Sequence, residues 1–342
     1  TPKPSSAASD VYKRQLFSQR NVLDYVNNRQ APALLGETLF PARKVQGLEF
    51  DILKAGTRIP TIASVHAFDT EAEIASRVAS RSAQELAFIK RKIQLKEKDL
   101  IALRNPRTAE EQAFLENEVY NDVFSMVSSV NARVEKMRME VLANGTVTLD
   151  ENGLDLVVDY GVPAEHKATV NFAASSTDVI GLLTTWAGTL DTTPTRILTS
   201  TKARNAILQN AGIKTYFKDA GLLPTAGTLN QLLQQFDLPV IATYDAKYYK
   251  ENAQGVLVKE RYFPENKLVM FGDENPGESI FGVTPEESRL LSGGTNDYQV
   301  GNIFAMVYES NLDPVGTWTK AAGTALPSFP EADNVFQATV LA

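Results

Sequence analysis

Cysteine is absent from the 342 residues, which excludes disulfide frameworks, thiolate zinc sites, iron–sulfur clusters and cysteine nucleophiles. Histidine is nearly absent. His66 and His166 are the only two, so little material exists for general-base or metal chemistry near neutral pH. An excess of positive charge is also missing: 34 Lys and Arg face 41 Asp and Glu, for a formal net charge of −7. That balance argues against a protein whose main business is gripping phosphate backbones. No apolar run approaches the roughly 20 residues that a membrane-spanning helix needs, and no segment near the start reads as a secretory signal. The phosphate loop G-x-x-x-x-G-K-[ST], the dinucleotide loop G-x-G-x-x-G and the nucleophile elbow G-x-S-x-G are all missing. What is present is an ordinary globular composition, 43% hydrophobic and 22% charged. That is enough apolar material for a substantial core in about two domains of a soluble, intracellular chain.

Thr1–Gln15 is rich in Ser, Ala, Pro and Lys, does not begin with Met and lacks hydrophobic periodicity. It reads as a processed or added start and stays unassigned. From Leu16 to Leu48 short apolar clusters are broken by Pro32, Gly36, Pro41 and Gly47, the pattern of a mostly extended arm that packs elsewhere. A strand-like run at Leu48–Leu53 and another around Leu86–Leu95 flank the small and polar stretch Gly56–Gln84, suggesting a long hairpin. In the second run Ile89, Ile93 and Leu95 share one parity, and Lys90, Lys92, Gln94 and Lys96 the other. Two strands alone bury too little to be stable in water, so the hairpin needs a surface from another domain or subunit.

The strongest signal follows. Thr108 with Glu111 has capping-box spacing, Asn144-Gly145 is a stop, and neither Pro nor Gly lies between. Leu115, Val119, Val123, Met126, Val130, Val134, Met137 and Val141 form one helical stripe. The spacing predicts a helix of about 55 Å, lying across a sheet in preference to an autonomous coiled coil. Thr146–Leu149 and Leu154–Asp159 read as a hairpin turning at Asp150–Gly153. Asp150, Asn152, Asp155 and Asp159 lack calcium-loop spacing.

Beyond it, Thr177-Asp178 caps a helix to about Leu190, followed by a strand at Arg196–Ser200 and helices at Thr201–Asn210 and Leu229–Phe236. A hairpin is expected from Pro239–Tyr248 and Val256–Tyr262, and a strand at Lys267–Phe271. Val300–Glu309 and Val335–Leu341 read as strands joined by a Pro- and Gly-rich connection carrying Trp318. The mixture is α+β.

Functional candidates are sparse. In Gly277–Gly282 the second glycine falls one residue too late for a nucleophile elbow, so this is a loop beside a strand. His66 and His166 have no ligand at metal spacing. Asp69, Glu71 and Glu73 sit with Phe68 on a polar loop, and pairing with Arg77 and Arg81 explains them better than paired-carboxylate catalysis. Lys90-Arg91-Lys92 is interrupted further on by Glu97 and Asp99, which favours a solvated face or an inter-subunit salt-bridge strip over nucleic-acid binding. Phe68, Asp69, Glu71, Glu73, Arg77, Arg81, Lys90 and Lys92 are therefore the candidate inter-subunit contacts. No catalytic, metal or cofactor residue is expected. Apolar surfaces this dispersed call for neighbouring copies, and unlike patches meeting head to tail generate rings or closed shells.

One resemblance fits the order of these pieces. IASVHAFDTEAEIASR (Ile62–Arg77), KRKIQLKEKDLIAL (Lys90–Leu103), VLANG (Val141–Gly145), VDYG (Val158–Gly161), LDPVGTW (Leu312–Trp318) and FPEADNVFQATVLA (Phe329–Ala342) form a collinear set. Together they resemble the major capsid proteins of tailed bacteriophages related to the lambda capsid protein E. The resemblance implies the Hong Kong 97-like capsid fold, an α+β fold with an N-terminal arm at 16–48 and an extended β-hairpin loop at 49–105. A peripheral domain at 106–170 would carry the long spine helix, completed by C-terminal strands at 300–342, and an axial domain would occupy 171–299. It implies self-assembly into pentamers and hexamers of an icosahedral shell around double-stranded DNA, in the virion, assembled in the bacterial cytoplasm without a cofactor. Implied partners are further copies of the chain, decoration, scaffolding and portal proteins, and packaged DNA held non-specifically, but no membrane. An encapsulin-like nanocompartment shell is the alternative, and an α+β enzyme a more distant one.

Overall fold

A computed structural model describes residues 18–29, 32–53, 81–95, 108–151, 153–252, 254–272, 275–292, 300–310 and 316–341. In chain order the strands are β1 (Ala42–Lys44), β2 (Glu49–Leu53), β3 (Arg81–Glu85), β4 (Ala87–Gln94), β5 (Thr146–Glu151), β6 (Leu154–Asp159), β7 (Lys167–Thr169) and β8 (Arg196–Thr199). They continue as β9 (Val240–Thr243), β10 (Lys247–Glu251), β11 (Leu257–Arg261), β12 (Lys267–Phe271), β13 (Ser279–Gly282), β14 (Phe304–Ser310), β15 (Gly316–Pro327) and β16 (Phe336–Thr339).

The spine helix runs Ala109–Asn144, with the Thr108 hydroxyl accepting from Glu111 N at 3.2 Å and Gly145 closing it at φ 73°. Glycine is needed there because the left-handed conformation strains any residue with a Cβ. All eight stripe residues are buried. The stripe lies across a sheet, as its spacing implies, chiefly over β15.

That first sheet runs β1-β13-β15-β14, with β4 on the opposite edge of β15. Its central strand corrects the sequence reading of a Pro- and Gly-rich connection: Gly316–Pro327 is a strand of 12 residues. Small residues hide it. Ala321, Ala322, Gly323 and Ala325 replace the alternating large side chains that announce a strand, and they let the helix ride close. A Cβ on Gly323 would lie 3.1 Å from Val130 Cγ1.

The second sheet, β7-β16-β12-β8-β9, pairs β16 with β7 and β8 with β9 in parallel and the rest antiparallel. Over it pack the helices Val179–Thr189, Thr201–Gln209, Ala211–Asp219 and Ala226–Gln235. Trp186 stacks on both Phe172 and Phe336, at ring distances of 5.8 and 4.9 Å. Asp178, Ser200 and Thr225 each cap a helix through a side-chain oxygen, as such residues do. The two layers are tied together: the Gln337 amide of β16 donates to Val141 O at 3.2 Å and Leu142 O at 2.8 Å on the last turn of the spine helix.

Other expectations change. Among the described residues of 16–48 the chain is not mostly extended: helices occupy Gln19–Asn28 and Leu35–Leu39, and only β1 is strand. Val22, Tyr25 and Val26 make a helical stripe too short to stand out, and it gains stability by docking on the spine helix and β14. The run Leu48–Leu53 meets Leu86–Leu95 only at their first residues, where Leu86 N donates to Leu48 O at 2.8 Å. β2 pairs with β3, while β4 joins the first sheet through β15. The run Pro239–Tyr248 splits, β9 joining the second sheet and β10 forming a separate hairpin with β11. The helix Ala211–Asp219 escapes notice because Gly212 interrupts its first turn. Ser279–Gly282 is a buried strand, not a loop. The last strand, β16, joins the second sheet, whereas β14 and β15 belong to the first.

Candidate assembly surface

The basic strand β4 is positioned by its register on β15. Lys90 lies opposite Ala322 and Lys92 opposite Lys320. The parity read from the sequence holds at Ile89, which packs against the core under the spine helix while Arg91 on the same face reaches Ser129 Oγ at 3.3 Å, but not at Ile93, which is 38% exposed. Lys90 and Lys92 stand on the other face with Phe88, which is 40% exposed. Lys90 Nζ sits 5.2 Å from the Phe88 ring centre and Lys92 Nζ 4.3 Å from that of Trp318. Each ammonium thus rests over an aromatic face, which fixes it without neutralising it. Further along, Lys320 pairs with Glu286.

Arg81 is the first residue of β3, paired with Leu53, the last residue of β2. Phe68, Asp69, Glu71, Glu73 and Arg77 lie outside the described residues, as does His66. The structure therefore brings Lys90 and Lys92 together on one strand face. His166 is buried and packs beside Phe336, with ring centres 6.4 Å apart. Among the described residues no three His, Asp or Glu side chains are grouped to hold a metal, and no helix is long and apolar enough to cross a membrane.

Further apolar groups face outward. On the β5–β6 hairpin Leu154 and Val157 are more than half exposed, and on the β10–β11 hairpin so are Tyr249, Val256 and Leu257. The outer face of β5–β6 also carries Asp150 directly opposite Asp155, a like-charge pairing that weakens an isolated hairpin.

A buried polar junction escaped the sequence reading altogether. Glu135, fully buried on the spine helix, accepts from Gly36 N at 2.9 Å and the Tyr244 hydroxyl at 2.8 Å through one oxygen, and from Arg138 at 3.3 Å through the other. Arg138 Nε donates to Ser279 Oγ at 2.7 Å, and Ser279 Oγ donates to Phe40 O at 3.0 Å. Burial lowers the pKa of the Arg138 guanidinium against the opposing pull of Glu135, and burial together with the Glu135 charge raises that of the Tyr244 phenol strongly. The junction binds four separate chain segments at one point. In the sequence Glu135 and Arg138 look like any surface i,i+3 pair.

Comparison with solved structures places this architecture in a class. A protein of an Escherichia coli CFT073 prophage, described as a capsid protein, superposes with a TM-score of 0.61 at 13% identity, over 96% of this chain and 98% of the other. A phage-related protein from Bordetella bronchiseptica RB50 gives 0.52 at 11% identity, over 93% and 95%. The fold is that of phage capsid subunits, α+β and Hong Kong 97-like. The phage major capsid protein E family model matches residues 18–340, and the chain belongs to that family. No curated protein matches it. It is accordingly a phage major capsid protein, a structural protein of the virion whose family builds shells from copies of one subunit.

Proposed function

We propose that this chain assembles as pentamers and hexamers into an icosahedral shell around packaged double-stranded DNA, acting mechanically and without catalysis. The observation that carries the reading is the family match across residues 18–340. Residues 16–48 serve as the arm, 49–105 as the extended loop, 106–170 with β14 and β15 as the peripheral domain, and 171–299 with β16 as the axial domain. The loop residues Phe68, Asp69, Glu71, Glu73, Arg77 and Arg81 contact one neighbour, and Lys90 and Lys92 offer another neighbour a row of ammonium groups on the β4 face. Support for the second contact comes from their exposed position beside Phe88. Each contact buries apolar area worth about 25 cal/mol per Å² before ordering costs, and weak contacts multiply over a closed shell. Assembly takes place in the host cytoplasm, with decoration, scaffolding and portal proteins as further partners and DNA held non-specifically.

Deleting about residues 56–84 tests this. Negative-stain microscopy of the purified variant should show soluble subunits and no shells, while the parent chain forms particles. Intact particles from the deletion would refute the role of the loop, and particles filled with a co-purifying protein in place of DNA would point to a nanocompartment.

A further inference from the structure

Where the spine helix meets the second sheet lies a pocket of about 260 Å³ lined by Asn144, Lys167, Ala168, Thr169, Lys267, Gln337 and Thr339. Register explains the convergence. Gln337 of β16 pairs with Lys167 of β7, and Thr339 pairs with both Thr169 of β7 and Lys267 of β12. Directly paired residues on adjacent strands point to the same face about 4.8 Å apart, so two ammonium groups, two hydroxyls and an amide share one small area. The opposite face, with Leu268, Met270, Phe336 and Ala338, is the apolar core.

Among the described residues the two ammonium groups and one amide oxygen of this set are unspent. Neither lysine has a carboxylate partner among the described residues. Burial and the Lys167 charge both push the Lys267 ammonium below its ordinary value, the mark of a cation held beside a like charge without a counter-ion. Gln337 is 3% exposed, and while its Nε2 is committed to the two helix carbonyls, its Oε1 is buried without a partner. That commitment fixes which amide atom is the acceptor. It also caps two of the carbonyls whose negative end would otherwise oppose an anion.

We propose that this pocket binds free orthophosphate as hydrogen phosphate, or a phosphate monoester as its singly protonated monoanion, its oxygens accepting from Lys167 and Lys267 and its remaining O–H donating to Gln337 Oε1. The ammonium pair selects an oxyanion, and the buried acceptor selects one that still carries a proton. Sulfate and the internal phosphodiesters of DNA have no such proton, so the site differs in kind from the backbone-gripping surface that the acidic composition disfavours. The group has two sources, orthophosphate itself and the phosphorylated end of a DNA strand.

Isothermal titration of the full chain decides it, with inorganic phosphate, sulfate at matched ionic strength, and blunt DNA duplexes with and without 5′-phosphates. Phosphate should bind saturably at one per chain, and sulfate about tenfold more weakly or worse. Lys167→Ala and Lys267→Met should each weaken phosphate binding by about tenfold or more, as charge-assisted hydrogen bonds lose when removed. Lys167 is exposed, so its variant keeps the test informative should Lys267→Met fail to fold. A duplex binding only when 5′-phosphorylated would make the DNA end the source. Indifference to the end phosphate, with orthophosphate bound, would make it the free anion. Absence of saturable phosphate binding, equal affinity for sulfate, or wild-type affinity in Lys167→Ala would each overturn the proposal. None of these outcomes depends on whether shells form.

Discussion

Replacing Arg138 with Met keeps most of the side-chain volume and removes one charge from the buried junction. Glu135 then stays fully buried and keeps its bonds from Gly36 N and Tyr244, but its second oxygen loses the guanidinium at 3.3 Å, and Ser279 loses its donor at 2.7 Å. Breaking one side of a buried ion pair costs about 3–5 kcal/mol, mostly as the desolvation of the charge left behind. The double variant Glu135→Gln with Arg138→Met leaves no orphaned charge and still offers Gly36 N an acceptor. Its loss should fall to about 1–2 kcal/mol, the scale of the remaining neutral hydrogen bonds. The assay is urea unfolding of unassembled subunits followed by tryptophan fluorescence, with limited proteolysis between residues 29 and 44 reporting whether the arm detaches first. A single variant within about 1 kcal/mol of the parent would refute the reasoning, as would a double variant no better than the single.

Gly323→Val places a branched side chain against Val130, whose Cγ1 would stand only 3.1 Å from the new Cβ. Overpacking of about 1–3 kcal/mol is expected, read as a lowered midpoint in thermal unfolding, and an unchanged midpoint would show that the helix moves aside freely. Asp245 supplies a pH test. Burial alone would raise its carboxyl, but bonds from Thr201 and Arg261 outweigh that and hold it below the usual 3.8. A depressed carboxylate contributes stability at pH above its unfolded value, and the contribution is lost as pH falls through the folded value. Acid unfolding of wild type should thus steepen below about pH 3.8, and Asp245→Asn should remove that component without altering the slope above it.

Legibility in the sequence followed side-chain size and segment length. The spine helix was readable because eight large apolar residues repeat without a break between a Thr cap and a Gly stop. β12 was readable to its end residues, Lys267 and Phe271, because Leu268, Val269 and Met270 are all buried core. β15 was not, since closeness to the helix demands alanine and glycine there, the residues that otherwise signal a loop. The arm helix was missed because its stability comes from docking on elements far away in the chain. Of the candidate contacts, Lys90 and Lys92 stand across β4 from the core residue Ile89, although Ile93, read as core by its parity, is exposed. The pocket lysines left no trace in the sequence, since Lys167 and Lys267 meet only through strands 100 residues apart.

The twelve-residue strand has a mechanical consequence for a subunit whose family builds shells. Bonded along both edges, to β4 on one side and to β14 and β13 on the other, it is loaded in shear when tension runs along it. Its rungs must then fail together, whereas a strand peeled from one end loses them one at a time. Tension running along β15 therefore meets the subunit along its toughest direction.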